Sequence, residues 1–91
     1  MLVGRRYVLS GRVQRVGFRY FAFDAAEREG LTGFVRNLPD GQVEILVEGE
    51  AEAVRRFESA IRQGPRGARV DAVETDVVPP TGRRHAFDVI G

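Results

Sequence analysis

The chain has 91 residues, of which 43% are hydrophobic and 30% charged, and its formal net charge is +1. This composition is typical of one folded domain, expected to span residues 1–91, and it excludes a disordered chain or a strongly basic nucleic-acid binder. No run of about 18 apolar residues predicts a membrane span, and the apolar start lacks the order of a signal peptide, so we expect a cytoplasmic protein.

Cysteine is absent and His85 is the only histidine. The chain therefore offers no disulfide and no thiol nucleophile, and no cluster of three or four metal ligands is visible. We expect neither a metal nor a cofactor. All fourteen basic residues are arginine, and because arginine–carboxylate networks contribute at high temperature, we hypothesise a thermophilic source.

The first predicted elements are a strand over residues 5–13 and a helix over about residues 19–29, ended by Gly30. The strand alternates, and one face carries Tyr7, Leu9, Gly11 and Val13. The helix has an apolar stripe. We expect Phe21 of this stripe and Phe57 of a later helix to lie in the core.

An antiparallel hairpin is predicted next. Its strands cover residues 31–37 and about 43–48, joined by a turn in which Pro39 presets φ, Asp40 bonds locally and Gly41 supplies a positive φ. Val43, Ile45 and Val47 alternate with Glu44, Leu46 and Glu48. This alternation predicts one buried face and one open face.

The rest of the chain predicts a helix over about residues 50–63, a strand over 70–78 with a bulge near Ala72–Val73, and a short strand over 86–90. The order β-α-β-β-α-β, with one extra strand, predicts an α+β ferredoxin-like sandwich. We expect a mainly antiparallel sheet of four or five strands with both helices on one face.

The stretch most suggestive of chemistry is residues 11–19, Gly-Arg-Val-Gln-Arg-Val-Gly-Phe-Arg, at a strand-to-helix junction. Glycines let successive N–H groups point into a short loop, and the helix N-terminus behind adds partial positive charge. Arg19 adds a guanidinium that can bind a phosphate or carboxylate. The pattern predicts an oxyanion site.

A second stretch reads Gly33-Phe34-Val35-Arg36-Asn37, followed by Gly41, Val43 and Gly49. Together the two stretches resemble the signature pair of the acylphosphatase family. The first motif, roughly G-x-V-Q-G-V-x-F-R, is matched at Gly11, Val13, Gln14, Val16, Phe18 and Arg19. The resemblance covers essentially the whole chain and implies a ferredoxin-like fold.

The resemblance also implies hydrolysis of acyl phosphates to a carboxylate and inorganic phosphate. We expect a monomer whose partners are these small molecules and include neither nucleic acid nor a membrane. The resemblance implies that Arg19 binds the phosphate, that Asn37 orients the attacking water, and that backbone N–H groups of residues 15–19 line the site. The substrate-binding residues would be Gln14, Arg15, Val16, Gly17, Phe18 and Arg19.

Arg15 departs from the motif, which usually has glycine at this position. If the backbone there requires a positive φ, arginine adds strain of about 1–3 kcal/mol. If it does not, Arg15 simply places a second cation beside the anion site.

Two other functions fit the predicted fold. Residues 15–21 faintly resemble an RNA-recognition signature, although that signature belongs on a sheet strand and here falls at a loop–helix junction. A non-catalytic module that binds phosphate or a small ligand is the other alternative. For Asn37 the competing interpretation is a residue capping the hairpin, and for Arg19 a solvated arginine in the first helical turn.

Overall fold

The computed structural model describes all residues, Met1–Gly91, and has seven elements. These are β1 (Leu2–Arg12), α1 (Phe18–Glu29), β2 (Thr32–Asn37), β3 (Val43–Glu50), α2 (Ala51–Gln63), β4 (Arg69–Val78) and β5 (Phe87–Ile90). Every predicted element is present. β1 begins earlier than predicted because Leu2, Val3 and Gly4 pair with the end of β3.

The five strands form one sheet in the order β4-β1-β3-β2-β5. All neighbours are antiparallel except β2 and β5, which are parallel. The two helices pack against each other and against the same sheet face. This confirms the ferredoxin-like α+β fold. Neither helix is long and apolar enough to cross a membrane.

The strand directions bring the ends of three strands to the same end of the sheet. β1, β2 and β5 run in one direction and β3 and β4 in the other. Arg12, Asn37 and Ile90, the last residues of three strands, therefore end at the same edge, where β3 and β4 begin. This is one end of the sheet along the strand direction, not one of its edge strands, and we call it the site edge.

The core lies between the sheet and the helices. Val43, Ile45 and Val47 are fully buried, as the alternation of β3 predicts, and the Phe57 ring lies 6.3 Å from the rings of both Tyr7 and Phe87. The prediction that Phe21 belongs to this core was wrong. Phe21 is only partly buried, because Phe18 begins the buried stripe of α1 and Phe21 packs edge-on against its side.

The alternation of β1 predicts Gly11 on the same face as Tyr7 and Leu9, and this prediction was also wrong. It is exposed and has φ of 121°, at the point where the pairing of β1 with β4 shifts register. The shift leaves Asp71 unpaired between Val70 and Ala72, close to the predicted bulge. The extra residue is on β4, and Gly11 beside this irregularity is left exposed although Leu9 and Val13 on either side of it are buried.

The open sheet face buries two carboxylates that the alternation predicts on the side away from the core. Glu44 of β3 binds Arg6 of β1 at 2.6 Å and Arg36 of β2 at 2.5 Å. Glu48 accepts hydrogen bonds from the Thr81 backbone N–H and hydroxyl, in the connection between β4 and β5. Both carboxylates are buried because neighbouring groups cover them and satisfy their oxygens.

Candidate active site

The two stretches singled out in the sequence meet at the site edge. Residues 13–17 form the β1–α1 loop, which leaves the sheet directly after Arg12. Asn37 ends β2 at the same edge and pairs with Val43 of β3. Pairing both β1 and β2 with β3 therefore brings together residues that are more than twenty positions apart in the chain.

The backbone of the β1–α1 loop alternates in the sign of φ, a pattern typical of anion-binding concavities. Arg15 has φ of 63° and Gly17 has φ of 75°, whereas Val16 between them keeps a negative φ. Successive residues of opposite handedness turn their N–H groups toward one point. The N–H groups of residues 14–17 donate to no other backbone group, and Gly17 caps α1 without a side-chain hydrogen bond.

Gln14 fixes the loop to the hairpin. Its Nε2 donates to the backbone oxygens of Leu38 and Gln42, both at 2.8 Å. The Gln42 side chain in turn donates to the Ser10 hydroxyl of β1 at 2.7 Å. At the other end of the loop, the Phe18 side chain is buried and anchors the start of α1.

Arg19 is held by the end of β5. Its Nη1 donates to the backbone oxygens of Ile90 at 3.0 Å and Gly91 at 2.6 Å. Its Nε and Nη2 have no hydrogen-bond partner in the protein, so one side of the guanidinium stays available. An arginine in the first helical turn opposes the helix dipole, and here it is oriented by another element of the fold. It is therefore not a freely solvated side chain.

Asn37 carries an unsatisfied acceptor. Its Oδ1 is buried and accepts no hydrogen bond from the protein. A buried polar atom in this state costs about 1–3 kcal/mol, which folded proteins rarely retain without a reason. The hairpin turn is closed without it, by Leu38 N–H to Gln42 O and by Gln42 N–H to the Asp40 carboxylate. Asn37 therefore does not cap the turn.

Arg15 has the strained backbone that the family's usual glycine would avoid. It is the only non-glycine residue with a positive φ, and its side chain is exposed. It forms neither an ion pair nor a hydrogen bond within the protein. The position therefore requires a positive φ, and it also places a free cation at the loop.

Sequence reasoning missed three contributors to this site: the backbone oxygens of Ile90 and Gly91, and the Gln42 side chain. Backbone acceptors leave no signal in a sequence. For Gln42, its place directly after the predicted turn was the only clue.

Other features of the surface lie apart from this site. No group of three or more His, Cys, Asp or Glu side chains is placed to hold a metal ion. His85 is exposed in the β4–β5 connection. None of the surface cavities is lined by the β1–α1 loop, and one of about 230 Å³ lies at the opposite sheet edge, near Leu2 and Glu48.

The sequence is similar to those of known acylphosphatases. The acylphosphatase family model matches residues 5–89. The chain is 51% identical over 87 residues to an acylphosphatase of Anaeromyxobacter dehalogenans, covering 96% of this chain and 94% of the relative. It is 53% identical over 74 residues to one of Pseudomonas paraeruginosa, covering 81% of each.

Among solved structures, an acylphosphatase from Bacillus subtilis superposes with a TM-score of 0.94 at 36% identity, covering all of both chains. Both the sequence and the fold are therefore shared over nearly the full length. The chain belongs to the acylphosphatase family.

Proposed function

We propose that the chain hydrolyses the carboxyl–phosphate bond of acyl phosphates, with the phosphate bound by residues 15–19 and water oriented by Asn37. Family membership supports the reaction. The observation that supports the assignment of residues is the buried, unpartnered Asn37 Oδ1 at the same edge as the β1–α1 loop.

The loop suits the phosphate end of the substrate. Inward N–H groups and the α1 N-terminus offer hydrogen bonds and partial positive charge to phosphate oxygens. The free Nε and Nη2 of Arg19 add a planar pair of donors, since Nη1 is already bound to Ile90 and Gly91. Phosphoryl transfer depends mainly on such positioning and charge stabilisation, because its transition state spreads negative charge over the equatorial oxygens.

Asn37 suits the attacking water. In this proposal its side-chain amide hydrogen-bonds the water and holds the water oxygen in line with the bond that breaks. A new P–O bond forms and the P–O bond to the acyl group breaks. Both water hydrogens stay with the phosphate product, one on the attacking oxygen and one transferred to another phosphate oxygen. The carboxylate leaves with both bonding electrons and needs no general acid, because its parent acid has a pKa near 4.

The non-catalytic and RNA-binding alternatives gain no support from this arrangement. Phe18 of the RNA-like stretch is buried in the core, so it offers no ring for base stacking. We further propose a cytoplasmic monomer that binds no nucleic acid and comes from a heat-adapted source. Sedimentation as a dimer, or a melting midpoint within about 45–65 °C, would contradict these last assignments.

The proposed reaction is tested by hydrolysis of benzoyl phosphate in the presence of EDTA. Arg19→Ala is expected to lose both turnover and binding of inorganic phosphate. Arg28→Ala is the matched control, because it removes an exposed arginine at the far end of the same helix and should keep both. Absence of hydrolysis by the folded wild-type protein would contradict the proposed function.

A further inference from the structure

Arg15 keeps an unfavourable backbone conformation without any compensating contact inside the protein. Its φ is 63°, and its exposed guanidinium binds no carboxylate and no backbone oxygen. A left-handed conformation is costly for a residue with a Cβ. Its strain therefore calls for an explanation outside the folded chain.

The position of Arg15 suggests what its side chain meets. The inward N–H groups of the loop would contact the phosphate, so the acyl group of a bound substrate must project away from the loop toward solvent. The loop is not covered at Gly17, where an added Cβ would have no atom within 4 Å. Arg15 lies on the same loop, its side chain is exposed, and it is therefore free to meet a group that projects from the bound phosphate.

The charges around the loop favour an anion there as well. Arg12 and Arg66 are exposed at the site edge and form no ion pair, whereas Arg69 is paired with Asp71 at 2.9 Å. Positive charge is therefore in excess at this end of the sheet, where the Asp40 carboxylate of the hairpin turn is the nearby opposing charge, although the net charge of the chain is only +1. Such a local field raises the local concentration of anionic substrates.

We propose that Arg15 is a specificity-determining residue that favours acyl phosphates whose acyl group carries a second anion, a carboxylate or a phosphate. This inference rests on the proposed function of the same site. The guanidinium would bind the distal anion while the loop and Arg19 hold the reacting phosphate.

The test compares substrates of matched shape. The ratio of kcat/KM for 4-carboxybenzoyl phosphate to kcat/KM for its neutral isostere, 4-carbamoylbenzoyl phosphate, isolates the second charge. The 4-phosphono analogue then shows whether a carboxylate or a phosphate is preferred. The wild-type protein should favour the anionic substrates at low salt, and this preference should shrink as salt screens the exposed charges.

Three variants separate charge from backbone strain. Arg15→Ala keeps a Cβ at positive φ but loses the charge, Arg15→Gly loses both, and Arg15→Lys keeps the charge. Loss of one exposed ion pair should lower the ratio about fivefold in the Ala and Gly variants and much less in the Lys variant. Arg28→Ala, which removes the same charge far from the loop, should leave the ratio unchanged.

The outcomes distinguish this inference from the reaction itself. If the wild-type protein hydrolyses all the substrates but the ratio is the same in wild type, Arg15→Ala and Arg15→Gly, the role of Arg15 is wrong and the reaction stands. If the ratio falls only in Arg15→Gly, backbone shape and not charge sets specificity, which also overturns the proposal. If no acyl phosphate is hydrolysed, the proposed function and this inference fail together.

Discussion

Two positions with a positive φ in the family motifs differ, since one is occupied by arginine and the other by glycine. Arg15 carries a Cβ where the conformation favours glycine, and Gly33 has none where the packing forbids one. Gly33 has φ of 141°, and an added Cβ would collide with the carbonyl oxygen of Leu46 on the neighbouring strand. The first position is tolerant but strained, and the second is obligatory for glycine.

Arg15→Gly should stabilise the protein by about 0.5–1 kcal/mol. Relief of the left-handed strain outweighs the extra entropy that glycine gives the unfolded chain. Urea unfolding measures this gain, and Arg15→Ala, which keeps a Cβ, should not show it. A loss of stability in Arg15→Gly would mean that the side chain stabilises the fold.

Gly33→Ala should lower the free energy of unfolding by about 3 kcal/mol or more, because the clash adds to the backbone strain. Gly41→Ala is the matched control. Gly41 has φ of 91°, but an added Cβ there would meet no atom within 4 Å, so we expect a loss of only about 1 kcal/mol. Equal losses in the two variants would show that the clash is relieved by movement of β3.

The three central strands are tied together by Glu44. Glu44 is 4% exposed, and its carboxylate binds Arg6 on one neighbouring strand and Arg36 on the other. Burial alone would raise the pKa of Glu44, but the hydrogen bonds and charges of the two arginines outweigh it and hold the pKa below its ordinary value. The pair of bridges therefore favours the ionised carboxylate in the folded state.

The contribution of Glu44 to the free energy of unfolding should consequently be lost as the pH decreases. The unfolded chain protonates Glu44 first, near its ordinary pKa of about 4.5, so unfolding takes up a proton and is favoured as the pH drops further. Glu44→Gln should cost about 1–3 kcal/mol at pH 7. That difference from wild type should shrink below about pH 4.5, as urea unfolding at several pH values would reveal. A difference that stays constant down to pH 3 would contradict the lowered pKa.

The elements themselves were readily predicted, because alternating and helical periodicities are local properties of the chain. The failures came from contacts between distant segments. Gly11 is exposed beside the bulge at Asp71 of β4. Arg6 and Arg36 of the neighbouring strands cover Glu44, and the β4–β5 connection covers Glu48. For the site, the sequence proposed Arg19 and Asn37 as candidates but did not predict the hydrogen bonds from Arg19 to Ile90 and Gly91, which depend on β5 lying parallel to β2. No local pattern specifies that pairing.

At the scale of the whole molecule, the fold brings separate parts of the chain to one edge. The β1–α1 loop, the end of β2 and the end of β5 are held together by strand pairing and by the Gln14 and Arg19 hydrogen bonds. This arrangement supports the proposal that the loop and Arg19 bind phosphate while Asn37 orients the attacking water.

The most direct test of these separate roles measures turnover and phosphate binding independently in the Asn37→Ala variant. The account predicts that kcat for benzoyl phosphate falls by about 100-fold or more, as expected for loss of a group that positions the nucleophile. The inhibition constant of inorganic phosphate should stay within about threefold of wild type, because the loop and Arg19 are intact. Full turnover in this variant, or a loss of phosphate binding as large as the loss of kcat, would contradict the account.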